Sequence, residues 1–176
     1  MAKQQVAFLR AVNVGKRRMQ MADLVQTVEG LGYDDVWTYI ASGNVAFRSP
    51  LGRGTLEPAI EAAVADAFGF DSEAFVRTAA QLRAIVDLEP FGALPAGATY
   101  LVAFLRSAPT AAQKRAIEDL SGDVDTLEVH GADVHWRIEG KSLDTVLKAK
   151  DWKAAGAAPN TTRNITMLTK LVDKLG

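Results

Sequence analysis

A hexapeptide that occurs twice is the feature that most restricts how this chain can fold. The string VAFLRA at Val6–Ala11 returns as VAFLRS at Val102–Ser107. Each copy is apolar at consecutive positions until its arginine, which is typical of a strand buried on both faces. A core strand that returns 96 residues later indicates an internal duplication.

The segments after each copy have the same predicted order. The first copy precedes a helix, two strands, a helix and a strand, over residues 21–31, 36–41, 45–47, 55–68 and 73–77. The second precedes a helix, two strands and a helix, over residues 110–120, 126–130, 134–139 and 142–150. This repeated order predicts an α+β fold of two tandem ferredoxin-like (split β-α-β) subdomains with antiparallel sheets.

The duplication also predicts domain boundaries. We expect residues 1–78 to form the first subdomain, residues 79–97 a connector helix and loop, and residues 98–176 the second subdomain, all in one compact unit. The last of these ends in an amphipathic helix with Leu168 and Leu171 on its apolar side. Two Thr-Ala-Ala-Gln strings, beginning at Thr78 and Thr110, predict capping boxes at helix starts. Thr55 is the predicted N-cap of helix 55–68.

Composition excludes several classes of protein. The chain has no cysteine, so it has neither disulfides nor a thiol nucleophile. Its first apolar run, Val6–Leu9, is too short for a signal peptide or a membrane span. We therefore expect a bacterial cytoplasmic protein with no membrane partner. No dinucleotide or phosphate-loop glycine motif occurs, so no cofactor is predicted.

Charge is distributed unevenly along the chain. The net charges of residues 1–50, 51–140 and 141–176 are +2, −7 and +4. A total of −1 argues against wrapping of long nucleic acid, which requires many phosphate contacts. The two basic ends would form one patch if the fold brought them together.

Polar and basic residues follow the first core strand and are missing after the second, where Ser107-Ala108-Pro109 stands. In a β-α-β-β unit with a right-handed crossover, the first two strands run parallel and end at the same edge of the sheet. The loops after them should meet there. The ligand-binding residues predicted at this edge are Arg10, Asn13, Gly15, Lys16, Arg18, Ser42 and Asn44.

Each of these residues also has a structural interpretation. Lys16–Arg18 precede a helix N-terminus, whose partial positive charge favours an anion nearby, but exposed cations are also simply solvated. Arg10 needs a partner at the rim of the core, either a ligand anion or an acid such as Asp23. Asn13 and Gly15 suit a turn as well as a site, and residues 42–44 suit a hairpin.

The string NTTRN at Asn160–Asn164 adds three candidates, Thr162, Arg163 and Asn164. It offers N-cap residues for the last helix. Arg163 is not needed for capping and is therefore predicted to bind the ligand. His130 and His135 flank a short turn without an evident third ligand, so we predict a surface pair and no metal site.

Five strings occur together along the chain: LRAVNVG, MADL, LGYDDVWTYIASGNVAF, Pro90-Phe91 and TTRN. In this combination and order they resemble one bacterial family, known as domain of unknown function 1697. The resemblance implies two tandem ferredoxin-like subdomains and supplies no activity. Ala11 and Lys16 stand where the family usually has glycine, and Ile165-Thr166 replaces tryptophan and asparagine.

These observations favour a binding module that holds a small anionic, phosphate-bearing ligand, for example a nucleotide or the end of a nucleic acid. One alternative is an enzyme acting on a phosphate-containing substrate; Asp23 is its nearest base candidate, and no catalytic signature is recognisable. The other is a protein-interaction module without small-molecule chemistry. The sequence does not predict an oligomeric state.

Overall fold

The chain divides into two compact units. The computed structural model describes residues 1–176. The first unit contains Met1–Ala84 together with Leu171–Gly176, and the second contains Ile85–Lys170. The sequence-based boundaries at residues 78 and 97, and the packing of both subdomains into one body, stay predictions.

Eight strands and six α-helices build the two units. The strands are β1 (Lys3–Leu9), β2 (Asp34–Thr38), β3 (Asn44–Ser49), β4 (Ala74–Thr78), β5 (Thr99–Leu105), β6 (Asp125–His130), β7 (Asp133–Ile138) and β8 (Asn160–Asn164). The helices are α1 (Met21–Glu29), α2 (Arg53–Phe68), α3 (Ala79–Leu88), α4 (Ala111–Glu118), α5 (Ala149–Ala154) and α6 (Ile165–Leu175). A short 3-10 helix covers Ser142–Asp144. None of the helices combines the length and apolarity needed to cross a bilayer.

Both sheets have the same topology. Their strand orders are β2-β3-β1-β4 and β6-β7-β5-β8, and all neighbours are antiparallel. The repeated strand is therefore central in each. Val6 lies opposite Arg77 on β4, and its counterpart Val102 lies opposite Arg163 on β8. The predicted α+β fold with duplicated ferredoxin-like units is confirmed.

One face of each sheet is covered by helices. In the first unit Leu24 of α1 and Ile60 of α2 are fully buried in one cluster with the inward-facing residues of β1. In the second unit Ile117 of α4 and Trp152 of α5 have this role. The second of the two helices differs most between the units, because α2 has 16 residues and α5 has 6.

The predicted helix starts are partly correct. Both capping boxes form. The hydroxyl of Thr78 accepts from the backbone N–H of Gln81, and that of Thr110 from the backbone N–H of Gln113, each at 3.2 Å. The prediction that Thr55 caps α2 is wrong. The helix begins earlier, because the carbonyl of Gly52 already accepts from the amides of Thr55 and Leu56 at 3.0 Å.

The single helix predicted at 142–150 is also wrong. Two separate turns form instead, because the carboxylates of Asp144 and Asp151 accept from the amides three residues earlier, at 2.7 and 2.8 Å. Between the turns, the buried carboxylate of Asp125 accepts from Thr145 Oγ1 at 2.5 Å and from the amide of Val146 at 3.1 Å. The backbone there is held outside helical geometry.

Residues 160–164 are predicted to supply N-cap residues for the last helix and three ligand contacts, and no strand is predicted there, but they form strand β8. The strand supplies the second partner of β5, as β4 does for β1. Capping is nevertheless present, since Asn164 Oδ1 accepts from the amide of Thr166 at 2.8 Å. The amphipathic helix α6 follows, with Leu168 and Leu171 fully buried, as predicted.

Replacing Asp125 should destabilise the second unit. The carboxylate also accepts from Trp136 Nε1 at 2.8 Å. Asp125→Ala would leave several buried donors without a partner, so we expect a loss of about 2–4 kcal/mol in the free energy of unfolding. Chemical denaturation measures it. Asp123→Ala, at an exposed acid two residues away, is the control; equal losses in both variants would contradict this role.

Candidate functional site

The end of β1 and the hairpin between β2 and β3 meet at one edge of the first sheet, as predicted. β1 and β2 run in the same direction, because each is antiparallel to β3 between them. The amide of Leu9 donates to the carbonyl of Gly43 at 2.9 Å. Two loops, residues 10–20 and residues 39–43, lie here, and we name them the edge loops.

The side chain of Asn13 joins the edge loops. Its Oδ1 accepts from the amide of Met19 at 2.8 Å, and its Nδ2 donates to the carbonyls of Met19 and Ala41 at 3.2 and 3.0 Å. The amide group thereby uses its oxygen and both of its N–H groups. Asn13 therefore shapes the site and does not offer free donors to a ligand.

Ser42 and Asn44 shape the hairpin loop. Asn44 is buried, and its Nδ2 donates to the carbonyl of Tyr39 at 3.0 Å and to Ser42 Oγ at 2.9 Å. This geometry agrees with the hairpin interpretation of residues 42–44. Any ligand contact made by these two side chains stays a prediction.

Gly43 lets the two edge loops pack closely. Its φ is +80°, and a Cβ at this position would lie 2.9 Å from Val12 Cγ2. In the second unit the equivalent bond runs from the amide of Leu105 to the carbonyl of Ala132, also at 2.9 Å. Ala132 has a Cβ at the position that corresponds to Gly43, so the close approach of the two loops is particular to the first unit.

Arg10 pairs with an acid that the sequence did not single out. Its Nη1 lies 3.4 Å from Glu73 Oε1, so Arg10 has an acid of this chain as its partner, one of the two predicted alternatives, and that acid is Glu73 and not Asp23. Glu73 is within reach because it immediately precedes β4, the strand beside β1. Both side chains remain half-exposed, at 48% and 40%. The pair can therefore still exchange for a ligand contact at low cost.

The three cations after Gly15 are not paired with acids. Lys16 is exposed and has neither an ion-pair nor a hydrogen-bond partner. The guanidinium of Arg17 lies over the Phe70 ring, 4.9 Å from its centroid. Arg18 Nη1 donates to the carbonyls of Gly15 and Arg17 at 2.8 and 2.7 Å. The loop thus carries a positive charge that nothing in the edge loops neutralises.

The edge loops also contain unfavourable backbone geometry. Ala11 has φ +54° and Ile40 has φ +53°, two of the four non-glycine residues with positive φ. This conformation costs roughly 1–2 kcal/mol per residue and is uncommon for a β-branched side chain. Such residues concentrate at ligand-binding sites, where the surrounding structure enforces them. Glycine would adopt the same positive φ at position 11 without strain.

Sequence reasoning missed two apolar residues at this edge. Val14 and Ile40 are 54% and 52% exposed, one on each edge loop. Ile40 falls inside the strand predicted at 36–41, whereas β2 ends at Thr38. Val14 follows the buried Val12 in the loop after β1. Strand periodicity therefore marks neither side chain as exposed.

The three predicted residues on β8 belong to the second unit and do not share one face. Side chains alternate along a strand, so Arg163 lies on the face opposite to Thr162 and Asn164. Arg163 Nη1 donates to Thr161 Oγ1 at 2.8 Å and to the carbonyl of Thr162 at 3.0 Å. Burial lowers the pKa of Arg163 to about 10. Participation of these residues in ligand binding stays a prediction.

Arg163 has a counterpart that the sequence reasoning did not notice. Arg77 occupies the same place on β4, is 2% exposed, and donates through Nη1 to the carbonyl of Val76 at 2.8 Å. Each arginine stands directly before a helix-capping residue, Thr78 or Asn164. The position of an arginine directly before a helix cap is visible in the sequence, and it indicates that both arginines have the same role in the two halves of the duplication.

The two histidines lie on neighbouring strands. Glu128 is opposite His135, and His130 Nε2 is 2.6 Å from Glu128 Oε1. His135 is fully buried; its Nδ1 is 2.5 Å from the Tyr100 hydroxyl, and its Nε2 has no partner. Burial, followed by the neighbouring His130, lowers the pKa of His135 to about 4. The prediction of a surface pair is therefore wrong for His135.

Replacing Ala11 with glycine should stabilise the protein. Ala11→Gly removes the strain of positive φ, and we expect a gain of about 1 kcal/mol in the free energy of unfolding. Ser107, the matched residue of the repeat, does not have a positive φ. Ser107→Gly should therefore lose stability, and denaturant unfolding of both variants checks the contrast. Equal changes would contradict strain at Ala11.

Acid should weaken the fold through His135. Its folded pKa of about 4 lies below the unfolded value of 6.5, so the unfolded state takes up the proton first as the pH falls. Between pH 7 and pH 5 we expect a loss of about 2 kcal/mol from this residue. His135→Gln should remove that share of the pH dependence. His130→Gln should retain most of it, because burial is the larger cause of the lowered pKa and His130 the smaller one. Denaturant unfolding curves at pH 7 and pH 5 measure the difference.

Comparisons with known proteins agree with this fold. The model of the family described as "Protein of unknown function (DUF1697)" matches residues 2–135. Among curated proteins, none matches this chain. The conserved bacterial protein SP0830 from Streptococcus pneumoniae is similar in structure, with a TM-score of 0.72 and 22% identity over 99% of both chains, which is a likeness of fold. Because the family model covers well over half of the sequence, the chain belongs to the DUF1697 family.

Proposed function

We propose that the edge loops of the first unit bind a small anionic ligand that carries phosphate, with nucleotides and nucleic-acid ends as the leading candidates, and that the protein works in the cytoplasm. The observation that carries the proposal is the strained backbone at Ala11 and Ile40, in two loops held together by Asn13. A solvated turn has no need of this arrangement. A binding loop gains from it, because its binding groups are ordered before the ligand arrives.

The chemistry of the exposed groups suits a phosphate. The Lys16 ammonium is unpartnered. Arg18 uses only its Nη1 in hydrogen bonds to the loop, so its other guanidinium N–H groups remain available. Charge-assisted bonds from such groups to phosphate oxygens are among the stronger polar contacts in proteins. Arg10 adds a third positive charge once its exposed pair with Glu73 opens.

The apolar groups suit the remainder of such a ligand. Val14 and Ile40 expose aliphatic surface on the two loops that carry the cations. Most ligand sites combine apolar surface with a few placed polar groups. A nucleobase against Val14 or Ile40, with its phosphate at Lys16 and Arg18, satisfies both features. An inorganic anion would contact only the cations and would leave Val14 and Ile40 exposed.

Neutralising the cations should weaken binding without unfolding the loops. A thermal-shift screen with nucleotides, sugar phosphates, short RNA and short DNA at two salt concentrations identifies the ligand class. Lys16→Ala and Arg18→Ala should each weaken binding by about tenfold, the worth of one charge-assisted contact.

Lys114→Ala removes one exposed charge from the second unit and is the matched control. The proposal fails if no anion raises the melting temperature at low salt. It also fails if Lys16→Ala and Arg18→Ala bind the ligand as tightly as the control and the unmodified protein do.

An enzyme acting on a phosphate-containing substrate is the second candidate, and the position of Glu73 favours it. The carboxylate lies beside Arg10 and, with Glu61 and Asp71, lines a cavity of about 180 Å³. A base is thus available next to the edge loops. Turnover of the bound ligand that Glu73→Gln abolishes, with binding retained, would select the enzyme. A bound ligand that stays unchanged selects the binding module.

A further inference from the structure

The segment between β7 and the end of α5 exposes large aliphatic side chains. Leu143 is 93% exposed and Val146 is 63% exposed. Single exposed aliphatic residues are ordinary on protein surfaces. These two stand three residues apart, on one short turn, and Leu143 has the most exposed large apolar side chain apart from Met1.

Lysines without an ion-pair partner lie before and after Leu143 and Val146 in the sequence. Four exposed lysines lie on the same segment and take part in no ion pair: Lys141, Lys148, Lys150 and Lys153. The two acids of the segment, Asp144 and Asp151, form no ion pair with these lysines; their carboxylates accept from the backbone amides of Lys141 and Lys148 at 2.7 and 2.8 Å. We name residues 141–153 the lysine segment.

The lysine segment is anchored, so its apolar side chains are held outward. The buried carboxylate of Asp125 accepts from Thr145 Oγ1 and from the amide of Val146 at 2.5 and 3.1 Å. Leu147, next in the chain, packs against the hydrophobic core of the second unit. A flexible loop could fold back and bury Leu143. The hydrogen bonds to Asp125 and the packing of Leu147 hold this segment in place and oppose such a movement.

The duplication shows that this surface is particular to the second unit. In the first unit the corresponding stretch follows β3 and enters the long helix α2. Its exposed leucine is Leu51, at 42%. The cation after it, Arg53, is paired with Glu57 at 3.1 Å. At this place the second half has a 6-residue helix where the first half has one of 16 residues, and it has lysines in sequence around an exposed leucine.

We propose that the lysine segment docks on the surface of an anionic lipid bilayer. Leu143 and Val146 enter the boundary between headgroups and acyl chains, and the lysines contact lipid phosphates. Long lysine side chains suit this, because their methylene stems lie along apolar surface while the ammonium groups reach the headgroups. Such docking needs no spanning helix, and the expectation of no membrane partner rested on the lack of one.

The composition of the segment favours lipid over the other negatively charged partners. A nucleic acid would use the lysines and leave Leu143 and Val146 in water. Protein interfaces are depleted in lysine, and their strongest contacts come from tryptophan, tyrosine and arginine, none of which the segment exposes. Its one tryptophan, Trp152, is buried. Lysine next to exposed leucine is the composition of interfacial membrane segments.

Vesicle binding by the full chain tests the proposal. We expect sedimentation with vesicles of phosphatidylcholine containing about 30% phosphatidylglycerol, at least about tenfold stronger than with phosphatidylcholine alone, and loss of binding at high salt. Leu143→Asp should weaken binding by about tenfold, because it replaces inserted apolar surface with a charge. Lys148→Glu should have a similar effect.

Leu51→Asp is the matched control and should bind as the unmodified chain does. Lys114→Ala should as well, because it removes an exposed lysine that lies outside the lysine segment. Leu143 and Lys148 are exposed, and thermal unfolding verifies that their variants fold. The proposal is overturned if anionic vesicles do not retain the protein at low salt, or if Leu143→Asp and Leu51→Asp behave alike. Preferential binding to RNA, DNA or an acidic protein would overturn it too.

Discussion

Backbone pairing of the repeated strand is the constraint on which the rest of the structure depends. A strand buried on both faces must also satisfy its hydrogen bonds on both edges. In the first unit β3 and β4 do this for β1, and in the second β7 and β8 do it for β5. The insertion of β3 between β1 and β2 then brings residues 10–20 and 39–43 together at one edge of the sheet.

What distinguishes the two edges is how their loops are held. In the first unit a single amide side chain, that of Asn13, ties one loop to the other and uses all its hydrogen-bonding groups. That rigidity accommodates positive φ at Ala11 and Ile40. The second unit has a two-residue hairpin turn, residues 131–132, whose one positive φ belongs to Gly131, a residue that adopts it without strain. One duplicated scaffold therefore carries an elaborated edge in the first half and a plain edge in the second. The feature particular to the second half is the lysine segment.

The sequence predicts the features that local rules determine. The repeated strand implied the duplicated fold. The parallel strands of the first β-α-β unit implied that the edge loops meet, and both capping boxes follow from four-residue strings. Features that depend on distant partners were not predictable in this way. Glu73 reaches Arg10 only because β4 lies beside β1, β8 forms because β5 has an open edge, and His135 is buried although its alternating strand reads as half-exposed. The equivalence of Arg77 and Arg163 was visible, since each precedes a helix cap, but only once β8 is recognised as a strand.

The central claim is that the elaborated edge of the first unit is a binding site. An amide NMR spectrum of the full chain, titrated with a nucleoside phosphate at low salt, tests it most directly. Our account predicts saturable shifts confined to residues 10–20 and 39–44, with the equivalent residues 106–110 and 131–132 unaffected. Shifts centred on any other part of the chain, or a spectrum that no phosphate-bearing ligand changes, would contradict it.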